Sequence, residues 1–314
     1  MRKSIALLIS PIILAFSGCE TWNAKNAPTP EVASPTEWSS GDDTGAPILD
    51  AWLSDFDSPE LDALVDEALE SNPSVLASLA ALDAAFFNAR ISGARVYPTI
   101  NADGSAGRRL SNTALGQDLY SSSADASVGV SWEIDIWGRL RDSANAADSE
   151  FAASEAGYQF TRLSLAANVA RTWIQAIAAK KQLDLAERTY ALWEDNVEII
   201  NSRFERGIST ALELQLIRSD AFSRLSSVAF NKDNLDETIR SLELLLGRYP
   251  AGVLEVPEEF PTIEPSIPAG LPSELLERRP DIIQATAQLE ASAYRQAFSH
   301  KNRLPSFALT GSLG

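Results

Sequence analysis

The stretch "DASVGVSWEIDIWGRLR" (Asp125–Arg141) decides how the rest of the chain is read. Ala126, Val128, Val130, Trp132, Ile134 and Ile136 alternate with Asp125, Ser127, Gly129, Ser131, Glu133 and Asp135. That is the period of a β-strand with one apolar and one polar face. Residues 126–136 match the about 9–11 residues of a strand that crosses a bilayer. Acids on one face and Trp132 and Trp137 near one end fit a barrel with a polar lumen and an aromatic girdle. In that arrangement Ala126, Val128, Val130, Trp132, Ile134 and Ile136 face lipid, and Asp125, Ser127, Ser131, Glu133 and Asp135 face the lumen. A weaker partner strand runs through Ile100, Ala102, Gly104 and Ala106, with a polar loop, "RRLSNTALGQDLYSSS" (108–123), between the two. The strands alone also suit a soluble hairpin with one wet face.

Outward from this hairpin the period becomes helical. Upstream, Leu61, Leu64, Val65, Ala68 and Leu69 share one face, with Ser58 as N-cap and Pro59 in the first turn. Asn72-Pro73 starts a second helix running to about Arg95. Downstream, no Pro interrupts Arg139 to Phe204, which is about 99 Å of helix. Leu165, Val169, Thr172, Ala176, Ala179, Leu183, Ala186, Tyr190, Trp193, Val197, Ile200 and Phe204 form a heptad seam. Gly207 stops this helix, and Ser209 is a candidate cap for a return helix over 210–247. Its seam is Ala221, Leu225, Val228, Lys232, Leu235, Ile239, Leu242 and Leu246, with Lys232 the polar interruption. The helices 73–95 and 210–247 together match the long one in length, so a column is expected rather than a globule.

The N-terminus addresses the chain to export. Arg2 and Lys3, the apolar run Ile5–Phe16 and then Ser17-Gly18-Cys19 read as a signal peptide over 1–18. Cys19 is the single Cys, so no internal disulfide is possible. "LAFSGC" (14–19) resembles a bacterial lipobox, which implies a covalent lipid on Cys19, with Glu20 fitting retention at the outer membrane. Residues 19–57, rich in Pro, Ser, Thr and Asp, read as an extended linker. Removing 1–18 takes the formal charge from -17 to -19, which excludes nucleic acid as a partner. No run of about 18 apolar residues follows the signal, so a membrane span must be a β-barrel.

The chain also repeats itself. Shifted by 207, residues 64–107 lie on 271–314 without a gap and share 13 of 44 positions. Pro73 meets Pro280, Pro98 meets Pro305, and Gly104-Ser105 meets Gly311-Ser312. Residues 58–250 form the first copy (helices 58–95, β-hairpin 97–137, helical hairpin 139–247), 251–270 a Pro-rich connector, and 271–314 the start of a second copy.

Five stretches carry a family resemblance: "WLSDFDSPELDALVDEAL" (52–69), "SWEIDIWGRLR" (131–141), "AANVARTWI" (166–174), "RFERGISTALEL" (203–214) and "GLPSELLERRPDI" (270–282). In this order they resemble the TolC-like outer-membrane efflux proteins, in their lipoprotein branch. The resemblance implies a fold of mixed α and transmembrane β, with barrel strands joined to long coiled-coil hairpins and an internal two-fold repeat. It implies a homotrimer with a 12-stranded outer-membrane barrel and a periplasmic helical tunnel. Its partners would be a periplasmic adaptor and an inner-membrane pump, often of the resistance-nodulation-division type. Arg203, Gly207, Ile208 and Ser209 would form the adaptor-facing tip. The family's gate depends on a second hairpin, so no gate residue is assigned. The offset predicts a natural chain of about 460 residues, with "SWEIDIWGRLR" recurring near position ~338.

Catalysis has little support. The chain has one His and one Cys and lacks HExxH, GxSxG and P-loop motifs. His300 stands where Gly93 stands in the first copy and reads as an exposed structural residue, and no metal site is expected. A lipid-anchored periplasmic adaptor would also have a coiled-coil hairpin, but with a lipoyl-like domain instead of the repeat. A structural lipoprotein would leave the alternating strands unexplained.

Overall fold

A computed structural model describes residues 52–112, 118–262 and 278–314. The signal peptide, Cys19 and residues 19–51 of the expected linker lie outside these residues, as do the connector from 263 and the second copy up to 277. The elements are α1 (Pro59–Ser71), α2 (Pro73–Ala94), β1 (Thr99–Asn112), β2 (Asp118–Ile134), α3 (Arg139–Glu205), α4 (Ala211–Leu245), α5 (Pro280–Lys301) and β3 (Phe307–Leu313). They fall into two compact units. Among the described residues, one includes 81–112, 118–157 and 278–314, and the other includes 52–80 and 158–262.

The second unit has the larger core. Leu61, Leu64, Val65 and Ala68 of α1 recur at helical spacing and bury against Leu165, Val169, Trp173 and Ile177 of α3, Leu242 of α4 and Leu246, the C-cap of α4. Ser58 Oγ accepts from Leu61 N at 3.3 Å, which caps α1. Asn72 is buried, donates to Leu245 O at 2.8 Å and accepts from Ser74 N at 2.8 Å, so it caps α2 while fastening it to the end of α4.

Three readings change here. Residues 52–56 form a 3-10 helix rather than linker, because Trp52, Leu53 and Phe56 pack on this core. Thr210, not Ser209, caps α4: its Oγ1 accepts from Glu213 N at 3.2 Å, and Glu213 Oε2 accepts from Thr210 N at 2.9 Å. Along the expected seam of α4 Leu225 and Lys232 are exposed, and Asn231 beside Lys232 is half-buried.

The expected seam of α3 fares better. Leu165, Val169, Ala176 and Ala179 are buried, and Thr172, Leu183, Ala186, Tyr190, Trp193, Val197 and Ile200 are half-buried. Only Phe204, in the last turn, is exposed. Ala166, Ala170, Trp173 and Ile177 add a second buried face that the seam did not include.

In the first unit three helix segments pack through small residues: Ala89 of α2, Ala144, Ala147 and Ala153 of α3, and Ala287, Ala291 and Ala297 of α5. A Cβ on Gly157 would stand 2.8 Å from Gln284 Nε2. The same unit holds an antiparallel sheet of order β1-β2-β3. Its strands are longer at the far end than the pattern indicated: 108–112 and 118–123, expected as loop, are strand. Backbone pairing continues there although the side chains turn polar. At the other end β2 stops at Ile134, so Asp135 and Ile136 are not strand residues. The Ile136 N–H donates back to Ile134 O at 2.9 Å, which turns the chain out of the sheet.

By length and composition α2 is also apolar enough to cross a membrane, so an apolar stretch of that length does follow the signal. Asp83 and Arg90 interrupt it.

Candidate functional site: an amphipathic sheet, its helix junction and a hairpin tip

Residues directly opposite in an antiparallel pair project to the same face. The register sets Ile100 against Val130, Ala102 against Val128, Gly104 against Ala126 and Ala106 against Ala124. On the other edge it sets Phe307 against Ile134, Leu309 against Trp132, Gly311 against Val130 and Leu313 against Val128. One face is therefore apolar across three strands. The opposite face pairs Asp103 with Ser127, Ser105 with Asp125, Thr99 with Ser131 and Glu133 with Ala308. Among the described residues nothing covers the apolar face: Ile100 is 71% exposed, Leu309 60% and Val128 48%.

At the lower edge of the sheet a polar network turns β2 into α3. Asp135 accepts from the N–H groups of Leu140 at 3.1 Å and Arg141 at 3.0 Å, satisfying donors that a helix start leaves open. Gly138 takes φ +76° in the intervening turn. Glu133 pairs with Arg139, whose guanidinium also donates to Asn302 Oδ1 at 3.4 Å and stacks over Phe298 at 5.5 Å. Asp142 and Lys301 form a nearly buried ion pair at 2.6 Å. The Trp132 indole N–H donates to Val96 O at 3.0 Å and that of Trp137 to Pro305 O at 2.9 Å. The motif "EIDIWGRLRD" (133–142) thus joins sheet to helices, and Asp135 acts as a helix cap rather than a strand residue facing a lumen. The sequence reading did not single out Arg139, Asp142 or Lys301. Their spacing carries no signal, because α5 begins well over a hundred residues after α3 does.

The hairpin tip belongs to the other unit. Ile208 N donates to Arg203 O at 2.9 Å and Gly207 N to Phe204 O at 2.9 Å, with Gly207 at φ +74°. This is a Schellman stop, which uses up the last carbonyls of α3. Arg203, Gly207 and Ile208 are exposed, Ile208 by 71%, and Ser209 is half-buried. Arg203 reaches the turn through its carbonyl, leaving its side chain outward.

The outer membrane efflux protein profile matches residues 64–248, more than half of the chain. The chain belongs to the outer membrane efflux protein family. Among its relatives is the pyoverdine export outer membrane protein OpmQ of Pseudomonas putida, 30% identical over 98% of this chain and 67% of OpmQ. The outer membrane protein OprJ of Pseudomonas aeruginosa is 31% identical over 98% of this chain and 65% of OprJ. The Campylobacter jejuni CmeC outer membrane channel superposes with a TM-score of 0.80 at 25% identity, covering 94% of this chain and 65% of CmeC. The chain spans about two thirds of the length of these relatives. An outer membrane efflux protein is a transport protein of the outer membrane, and its fold is that of the helical and β outer-membrane efflux channels.

Proposed function

We propose that this outer membrane efflux protein supplies one subunit of a homotrimeric channel through which a tripartite pump exports small molecules. The observation that carries the proposal is the sheet register, which collects the apolar side chains of three strands on one face and leaves that face uncovered. Such a sheet has no stable place in water, and in lipid its open edges need pairing, which a closed barrel provides. On this reading Ala126, Val128, Val130, Trp132 and Ile134 face lipid, and Asp125, Ser127, Ser131 and Glu133 face the lumen. The two-copy architecture is supported by α2 and α5, which both span 22 residues and coincide at both ends under the shift of 207. The proposed divisions remain 58–250, 251–270 and 271–314, preceded by a signal over 1–18 and a lipid on Cys19.

The exposed apolar stripe Leu185, Leu192 and Ile199 on α3 is read as a contact between subunits, since exposed stripes at heptad spacing seek a partner helix. Arg203, Gly207, Ile208 and Ser209 form the surface for a periplasmic adaptor, which in turn engages an inner-membrane pump. The test is planar-bilayer conductance of protein purified from outer membranes, together with electrophoresis of unheated samples. Heat-sensitive trimers with single-channel steps are expected. Monomers that never conduct would overturn the proposal.

A further inference from the structure

The apolar face of the sheet has one charged residue between Ile100 and Leu110 on β1 and between Tyr120 and Ile134 on β2: Arg108. It stands opposite Ser122, and its guanidinium lies 4.7 Å from the centre of the Tyr120 ring. No ion pair among the described residues involves it, and the nearest acid on that face, Asp118, pairs with Asn112 farther along the strand. Arg109 projects to the opposite face, level with Ser121. In a chain with a net charge of -17, a cation on the face read as lipid-facing calls for a physical reason.

Its height supplies one. Between Trp132 and Ser122 β2 advances about 33 Å, or about 25 Å of membrane depth at a strand tilt near 40°. That equals the height of an outer-membrane apolar band, whose borders carry aromatic residues. Trp132, near the start of α3, marks one border, and Tyr120 and Arg108 mark the border away from the helices. An Arg in the apolar midplane is costly, but at this border its planar fork faces headgroups and matches a phosphate bidentately. Tyr120, one residue pair farther from the helices, stacks on the guanidinium and steadies it at this border. Ala106, one step from Arg108 toward Trp132 on the same face, would meet the acyl chains, and Leu110 lies beyond Arg108, level with Tyr120.

We propose that Arg108, stacked on Tyr120, binds the phosphate of an anionic lipid headgroup in the leaflet away from the helices. The proposal rests on the lipid-facing register given under Proposed function. Native mass spectrometry of protein purified from outer membranes, incubated with lipid A or with phosphatidylcholine, provides the test. Lipid A is expected to stay bound to the natural protein. Retention should fall about fivefold in Arg108→Ala, the weight of one basic residue at an anionic surface, and comparably in the volume-keeping Arg108→Gln. Arg109→Ala should leave retention unchanged. Equal retention by the natural protein and both Arg108 variants would overturn the proposal, as would displacement of lipid A by inorganic phosphate, which would mark a site for free anions. A spin label at Ala106→Cys separates the two levels. Oxygen-accessible label with unchanged lipid retention sinks only the headgroup site, whereas a water-accessible label removes the register beneath it.

Discussion

Glu243 is 2% exposed on α4, and its carboxylate accepts from the N–H groups of Gly252 at 2.7 Å, Val253 at 2.9 Å and Leu254 at 3.1 Å. Burial alone would raise its pKa, but the hydrogen bonds from Gly252, Val253 and Leu254 hold it below the ordinary value of 4.5. A folded-state pKa below the unfolded one adds stability that is complete above about pH 4.5 and is lost as pH falls through the folded value. Thermal unfolding followed against pH should therefore show a decline below that point in the natural protein and a flatter profile in Glu243→Gln. At neutral pH Glu243→Gln should cost roughly 1–3 kcal/mol, because an amide oxygen cannot satisfy all three donors.

Two glycines make a paired comparison at the same scale. Gly207 and Gly247 both end helices at positive φ, +74° and +77°. A Cβ at Gly207 meets nothing within 4 Å, whereas one at Gly247 would lie 2.7 Å from Ser71 O. Gly207→Ala should cost about 1–2 kcal/mol from the backbone alone. Gly247→Ala should cost clearly more, since a backbone carbonyl cannot step aside. Chemical denaturation of the two variants checks the order.

At the scale of the element, the sheet shows how much period 2 can carry. The alternation in 126–134 identified both faces without knowledge of a partner strand, because neighbours along a strand point oppositely wherever it pairs. The ends were not legible. Strand β2 extends back to Asp118 because backbone ladders persist through polar side chains, and it ends at Ile134 because the Asp135 carboxylate is taken by the start of α3. If Val130 faces lipid and Ser131 the lumen, Val130→Lys should cost about 2–4 kcal/mol near the midplane, and Ser131→Lys little. Trimer yield in outer-membrane fractions provides the measurement. Equal losses would mean that the faces are misassigned.

For the whole molecule, the question is what the uncovered surfaces await. Leu185, Leu192 and Ile199 recur every seven residues on the outward side of α3 and are 65%, 63% and 50% exposed. As a subunit contact, this stripe should tolerate a charge within the folded hairpin but not within the assembly. Leu192→Glu should keep the helical circular dichroism of the natural protein and reduce the trimer band of unheated samples. Undiminished trimers would remove the stripe from the interface.

What the sequence determined by itself is local: the strand faces, the caps Ser58 and Asn72, the glycine stops and one seam of α3. Each depends on residues a few positions apart, whose geometry follows from the backbone period alone. Tertiary structure decided what depends on distant partners. It set Ile100 against Val130 and Phe307 against Ile134, and gave α3 a second buried face at Trp173 and Ile177. It also paired Asp142 with Lys301 and recruited Asp135 from the strand pattern to cap a helix. Those outcomes arise from many weak contacts between segments far apart in the chain, and no spacing within either segment records them.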